Sequence, residues 1–226
     1  SDKQFIEEVY GLRLQNTVDL AISVVKEKAE KVAIGELTLE EAQSAAIKEV
    51  NSMRYDKGTG YLWINDATLP YPTMIMHPTL SELDGTVLDD PKFNCAMGKD
   101  QNLFQAMAEV CTANGAGFVD YLWPKPTPDG LIPDVKKLSY VKLFEEWNWV
   151  VGTGIYLDDV KADVTNTMLS DIANLKYDNG EGYFWINDTK APYPTMIMHP
   201  TQPELDGKTL EDEKFNCELG TNRNFF

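Results

Sequence analysis

The stretch GYLWINDATLPYPTMIMHP at residues 60–78 returns almost letter for letter as GYFWINDTKAPYPTMIMHP at residues 182–200. Any fold for this chain must therefore accommodate two copies of one unit. Aligning residues 55–104 with 177–226 leaves 32 of 50 positions identical, which makes internal duplication secure. Each copy reads as strand, turn, strand. Residues 61–65 are aromatic and β-prone, Asp66 and the prolines break the run, and residues 73–76 are extended again. Two readings stand side by side: a pocket built on a sheet hairpin, which explains His77, or a packed core rich in aromatics.

Charge narrows the partners. Lys plus Arg number 20 against 36 Asp plus Glu, so neither a nucleic acid nor an anionic membrane surface is an expected partner, and a small anion needs a local basic group. No apolar run is long enough for a membrane span and no charged-then-apolar leader opens the sequence, which suits a cytosolic protein or a soluble piece of something larger. The three cysteines match no zinc spacing. Cys95 and Cys217 are equivalents within KFNC; Cys95 and Cys111 are either a bridge or two packed thiols.

Taken in order, residues 3–34 predict one long helix, with Ile6, Val9, Val18, Ala21, Ile22, Val25, Ala29 and Val32 at helical spacing and Gly35 at its end. Thr38 followed by Glu41 predicts a capping box opening a second helix to about Met53. Arg54 then lies next to the aromatic strand, where its guanidinium can meet a carboxylate or simply answer surface acids. After Pro78 an acidic, turn-rich loop precedes a short helix at residues 103–112, ended by Asn114-Gly115. Residues 117–123 predict a third strand, on which Tyr121, Trp123 and Lys125 share a face, and Pro124, Pro126 and Pro128 are expected to end it. Residues 138–144 and 149–156 predict a hairpin. A helix from Leu157, striped by Val160, Val164, Met168, Ile172 and Leu175, opens the second copy. That copy stops at the counterpart of Phe104, so three of its five strands are expected from a continuation of the chain or from elsewhere.

GYLWIND, MIMHP, ELDG, GFVDYLWPK, KLSYVKLF and WNWVVGTGIYLDDV, in this order, resemble the Cache sensor family, in its double-module branch found in bacterial chemoreceptors and sensor histidine kinases. The resemblance implies an α+β, PAS-like fold: a five-stranded antiparallel sheet with a long N-terminal helix, duplicated, with the second copy truncated. The first, complete module takes residues 1–156 and the second residues 157–226. It implies an extracytoplasmic, periplasmic sensor of a cell-membrane receptor, tied to the membrane only by helices outside this sequence and dimerising through its long helices. It implies no catalysis and no cofactor, but a small organic acid such as acetate, propionate, pyruvate or lactate. Carried over residue by residue, it points to Trp63, His77, Tyr121, Trp123 and Lys125 as pocket residues, with Arg54 and Tyr61 as neighbours.

That assignment fits simple chemistry, since a short carboxylate needs one or two N–H donors for its oxygens and an apolar wall for its tail. Strand alternation puts Tyr61, Trp63 and Asn65 on one face, and places His77 with Ile75 and apart from Met74 and Met76 unless Pro78 distorts the strand end. Two other classes compete. An enzyme using His77 as base near Asp66 lacks a nucleophile, metal set or phosphate loop. A structural or protein-binding ectodomain, with its aromatics as core, has no small-molecule ligand.

Overall fold

The computed structural model describes residues 2–221 and 223–226. The chain divides into two compact units, one through Val160 and one of Lys161–Phe226.

The first unit opens with α1 (Asp2–Ala33) and α2 (Leu39–Ser52). The capping box forms as expected: Glu41 N donates to Thr38 Oγ1 at 3.2 Å, and Thr38 N donates to the Glu41 carboxylate at 2.8 Å. Strands β1 (Arg54–Tyr55), β2 (Gly60–Asp66) and β3 (Met74–Met76) follow, then α3 (Leu103–Asn114), β4 (Ala116–Thr127), β5 (Gly130–Phe144), β6 (Trp149–Tyr156) and α4 (Leu157–Asn174). The sheet is antiparallel throughout, in the order β1-β2-β6-β5-β4, with β3 also paired to β2. The five expected strands are present, joined by the two-residue edge strand β1.

One face of the sheet packs under the helices. Val18, Ala21 and Val25 of α1 and Ala46 and Val50 of α2 bury against Leu62, Ile64, Met76, Trp149 and Val151. Val9, counted in the apolar stripe, turns outward instead and is 54% exposed. The opposite face is covered by residues 80–96 and by α3, through Leu83, Leu88, Phe93, Leu103, Phe104 and Met107. On that face lie the aromatic residues of β2 and β4.

The prolines do not end β4. It continues to Thr127, with Lys125 opposite Ile132 and Pro126 opposite Leu131, after a register shift between Trp123 and Lys125. As the last strand of the sheet order, β4 has one side without a ladder, and there a proline's missing N–H costs no hydrogen bond. The partner strand β5 correspondingly starts at Gly130, eight residues ahead of the expected Leu138. Asn148, left-handed at φ 54°, closes the β5–β6 turn. All three cysteines are free, and burial pushes the Cys111 thiol up to about 12.

The second unit repeats the local geometry in a poorer setting. β7 (Lys176–Tyr177) pairs with β8 (Gly182–Tyr183) in the register of β1 with β2, and β9 (Ile186–Asn187) pairs with β10 (Met196–Met198). The counterpart of the continuous β2 is thus split at Phe184-Trp185, since among the described residues of this unit no strand lies where β6 supports β2. Its small core is Met196, Leu205 and Leu210 with Phe215 and Phe226. Of the stripe expected on α4, Val160 is buried, whereas Met168 and Leu175 are 57% and 53% exposed.

Candidate ligand-binding site

The face of the first sheet that lies under α3 and residues 80–96 is a grid of cross-strand neighbours. Trp63 stands opposite Gly152, Gly154 opposite Ser139, and Lys137 lies between Tyr121 on β4 and Tyr156 on β6. β6 therefore offers Gly152, Gly154 and Tyr156 to this face. The two glycines make room for neighbouring side chains: a Cβ on Gly152 would lie 2.4 Å from Trp63 Cζ2, and one on Gly154 would lie 2.1 Å from Ser139 Oγ and 2.8 Å from Lys137 Cε. Gly152→Ala should accordingly destabilise the unit by about 1–3 kcal/mol, measured by urea unfolding, because a buried indole cannot yield to the extra carbon.

Over these glycines the rings gather. Tyr61 and His77 have centroids 5.1 Å apart, Trp63 and His77 6.5 Å, His77 and Trp123 5.4 Å, and Tyr121 and Trp123 6.1 Å. Of the residues expected in a pocket, Tyr61, Trp63, His77, Tyr121 and Trp123 are thus brought together and buried. The rings stand in contact with one another. Trp123 also borders a cavity of about 270 Å³, lined by Leu80, Leu83, Phe93, Cys95 and Leu122 among others.

His77 joins this cluster together with Met74, whereas Ile75, expected to share its face, packs against the core under the helices. β3 ends at Met76, and the next N–H, that of His77, donates to Asp84 Oδ1 at 2.8 Å instead of a strand. The ring Nδ1 accepts from the backbone N–H groups of Thr79 and Leu80 at 3.3 and 3.1 Å, which assigns the hydrogen of the neutral ring to Nε2. Burial, then the charges of Lys137 and Arg54, depress its pKa to about 3.

Two expected residues stand elsewhere. Lys125, beyond the register shift, spends its amine on Asp158 at 2.8 Å and Asp159 at 2.6 Å, in the first turn of α4. Arg54 donates to the Gly58 carbonyl at 2.6 Å and lies 5.9 Å from the Tyr61 ring centre, at the edge of the cluster.

The amine that does enter is Lys137. Its Nζ donates to the Tyr61 hydroxyl at 2.9 Å and sits 4.1, 5.2 and 5.0 Å from the ring centres of Tyr61, Trp63 and Tyr156. Among the described residues no carboxylate pairs with it, and burial pushes the amine well below the usual lysine range. The sequence expectation of a strand from Leu138 leaves Lys137 just outside it, although β5 begins at Gly130; the alternation Lys137, Ser139, Val141 is the available signal. Trp123 Nε1 is buried and, among the described residues, the one such side-chain atom without a hydrogen bond. It is near enough to the Tyr61 hydroxyl to favour its ionisation slightly, but not in hydrogen-bonding geometry, and burial still holds that phenol up at about 12.

The fold and these residues agree with comparisons to known proteins. The family model of the Cache domain, dCache_2, matches residues 1–218. The chain belongs to the Cache family. The methyl-accepting chemotaxis protein McpP of Pseudomonas putida is 35% identical over 165 residues, 71% of this chain and 28% of that protein. The sensor histidine kinase MctS of Rhizobium johnstonii is 34% identical over 163 residues, 71% of this chain and 32% of the kinase. The Cache chain thus spans under a third of these relatives. Among solved structures, a periplasmic sensor domain of a chemotaxis protein is 37% identical at a TM-score of 0.54, covering 64% of this chain and 93% of its own. A Cache chemosensory domain described for carboxylic acid recognition is 34% identical at a TM-score of 0.56, covering 68% and 97%. The chain is a Cache sensor domain of the type found in chemotaxis proteins. Among the described residues, no helix is long and apolar enough to cross a membrane.

Proposed function

We propose that the first unit is the extracytoplasmic, periplasmic sensor of a membrane receptor and binds one short monocarboxylate at the ring cluster. The observation that carries this reading is the buried Lys137 amine, which has a neutral phenol and three ring faces for company but, among the described residues, no counter-ion. Beside it the Trp123 N–H lacks an acceptor. A carboxylate seated there satisfies both, and His77 Nε2 and Tyr61 complete the donors. Charge counting selects a monoanion, because Lys125 is already neutralised by Asp158 and Asp159 and Arg54 lies at the rim. Among the described residues none of the groups around Lys137 is a carboxylate that could receive an ammonium group, which disfavours amino acids. The rings must part to admit the acid, and the cavity that Trp123 borders offers its indole room to shift. The carboxylic acid recognition described for a solved Cache relative supports the class.

The exposed row Phe5, Val9, Leu12 and Leu20 along α1 supports pairing with a second copy through the long helices. A thermal-unfolding screen tests the ligand class. Acetate, propionate, pyruvate or lactate at about 100 times its dissociation constant adds roughly 2.7 kcal/mol to the folded state, a rise of several degrees, while succinate and alanine leave the midpoint unchanged. A flat response to every C2–C4 monocarboxylate would instead favour a structural ectodomain, whose touching rings are simply core.

A further inference from the structure

Lys125, with the WPKP and YLDD strings around it, has no part in the binding reading, yet it is tied to the site by an unbroken series of contacts. Lys137 Nζ donates to the Tyr61 hydroxyl at 2.9 Å, and the Tyr61 and Tyr156 hydroxyls are 3.5 Å apart. The Tyr156 hydroxyl donates its one hydrogen to the Pro124 carbonyl at 2.9 Å, so toward Tyr61 it can only accept. The Tyr61 hydrogen therefore points to Tyr156. Pro124 lies at the register shift of β4 and immediately precedes Lys125, whose amine is 5.7 Å from the Tyr156 ring centre and bonds both Asp158 and Asp159. Tyr156 is the last residue of β6, and the two aspartates sit in the first turn of α4, where the chain leaves the unit.

We propose that Lys125 is a positioning residue, holding the first turn of α4 against Tyr156 so that an acid seated at Lys137 changes the state of that turn through the Lys137–Tyr61–Tyr156 chain. The inference rests on the binding reading above. A carboxylate oxygen beside Lys137 is a better acceptor for the Tyr61 hydrogen than a phenol 3.5 Å away. Once Tyr61 donates to the acid, Tyr156 loses that donor, and the grip on Pro124 and Lys125 is altered. Such a link needs an element with two arrangements that the ligand prefers unequally, and the Tyr61 hydrogen has two destinations.

Amide exchange of residues 157–162, read by mass spectrometry with and without saturating propionate, tests the link. In the native protein propionate should change the exchange rate of this turn by roughly threefold or more. Lys125→Met should bind propionate within about threefold of native by calorimetry, since the residue does not face the site, while the turn exchanges fast with or without ligand. Lys125→Arg should restore the response, and the double change Asp158→Asn with Asp159→Asn, cutting the same clamp from its other side, should reproduce Lys125→Met. A native-sized response in Lys125→Met, or its loss of propionate binding, overturns the assignment. If the native protein binds propionate with no change in the turn, the link fails and the site stands; if it binds no propionate, both fail.

Discussion

Replacing Lys137 with methionine is expected to weaken propionate binding by about 2–5 kcal/mol, some thirty- to several-thousand-fold, the size found on truncating one partner of a buried charge pair. The same change should leave the unliganded protein as stable or more stable by about 1 kcal/mol, because an apolar chain of similar length replaces an amine that burial strips of water without supplying a counter-ion. Opposite signs make the experiment decisive. A lysine kept for structure alone would lose stability on substitution, and a lysine outside the site would leave affinity untouched. Calorimetric titration and urea unfolding on one preparation read both quantities, and unchanged affinity removes Lys137 from the site.

Acid should unfold the first unit through His77. The ring titrates near 3 when folded and at the ordinary value of 6.5 when unfolded, so between those limits the unfolded chain holds more protons. Stability is therefore complete above pH 6.5 and falls as pH drops toward 3, by about 1.4 kcal/mol per unit and on the order of 4–5 kcal/mol across the window. Comparing the pH dependence of native protein and His77→Gln isolates this contribution from the carboxylates, including Asp84, which burial shifts upward. Parallel slopes for the two proteins from pH 7 to 4 would show that the imidazole is not held neutral.

Much of this architecture could be read from residue order. The capping box at Thr38 and Glu41, the helical stripe of α1 through Val18, Ala21 and Val25, and the aromatic alternation of β2 and β4 are local patterns, and local patterns survive folding. Most of the ring cluster followed from them. What escaped depends on which strand lies beside which. Lys125 and Trp123 share a parity in the sequence, but the shift at Pro124 breaks the equivalence and sends the amine to α4. Lys137 enters the site because β5 begins early enough to set it between Tyr121 and Tyr156, a register no single strand reveals. Gly152 and Gly154 look like flexible punctuation, yet they are clearances for an indole and a lysine stem carried by neighbouring strands. The second unit makes the same point, since Tyr183, Trp185 and His199 recur while Trp185 stays 41% exposed without a supporting strand.

The prolines of β4 have an effect beyond that strand. Where the sheet stops, Pro124 and Pro126 remove amide hydrogens from its outermost rim, while Ala96 and Met97 occupy the stretch just before, one bridging to Tyr121 and the other donating to the Asp120 carbonyl. The opposite rim is the two-residue β1 and the three-residue β3, whose Met74 already exchanges backbone hydrogen bonds with Gly85 and Thr86. A foreign strand thus finds little backbone to zip onto at either margin, so copies of this domain crowded together meet through side chains and helices rather than by growing one another's sheet.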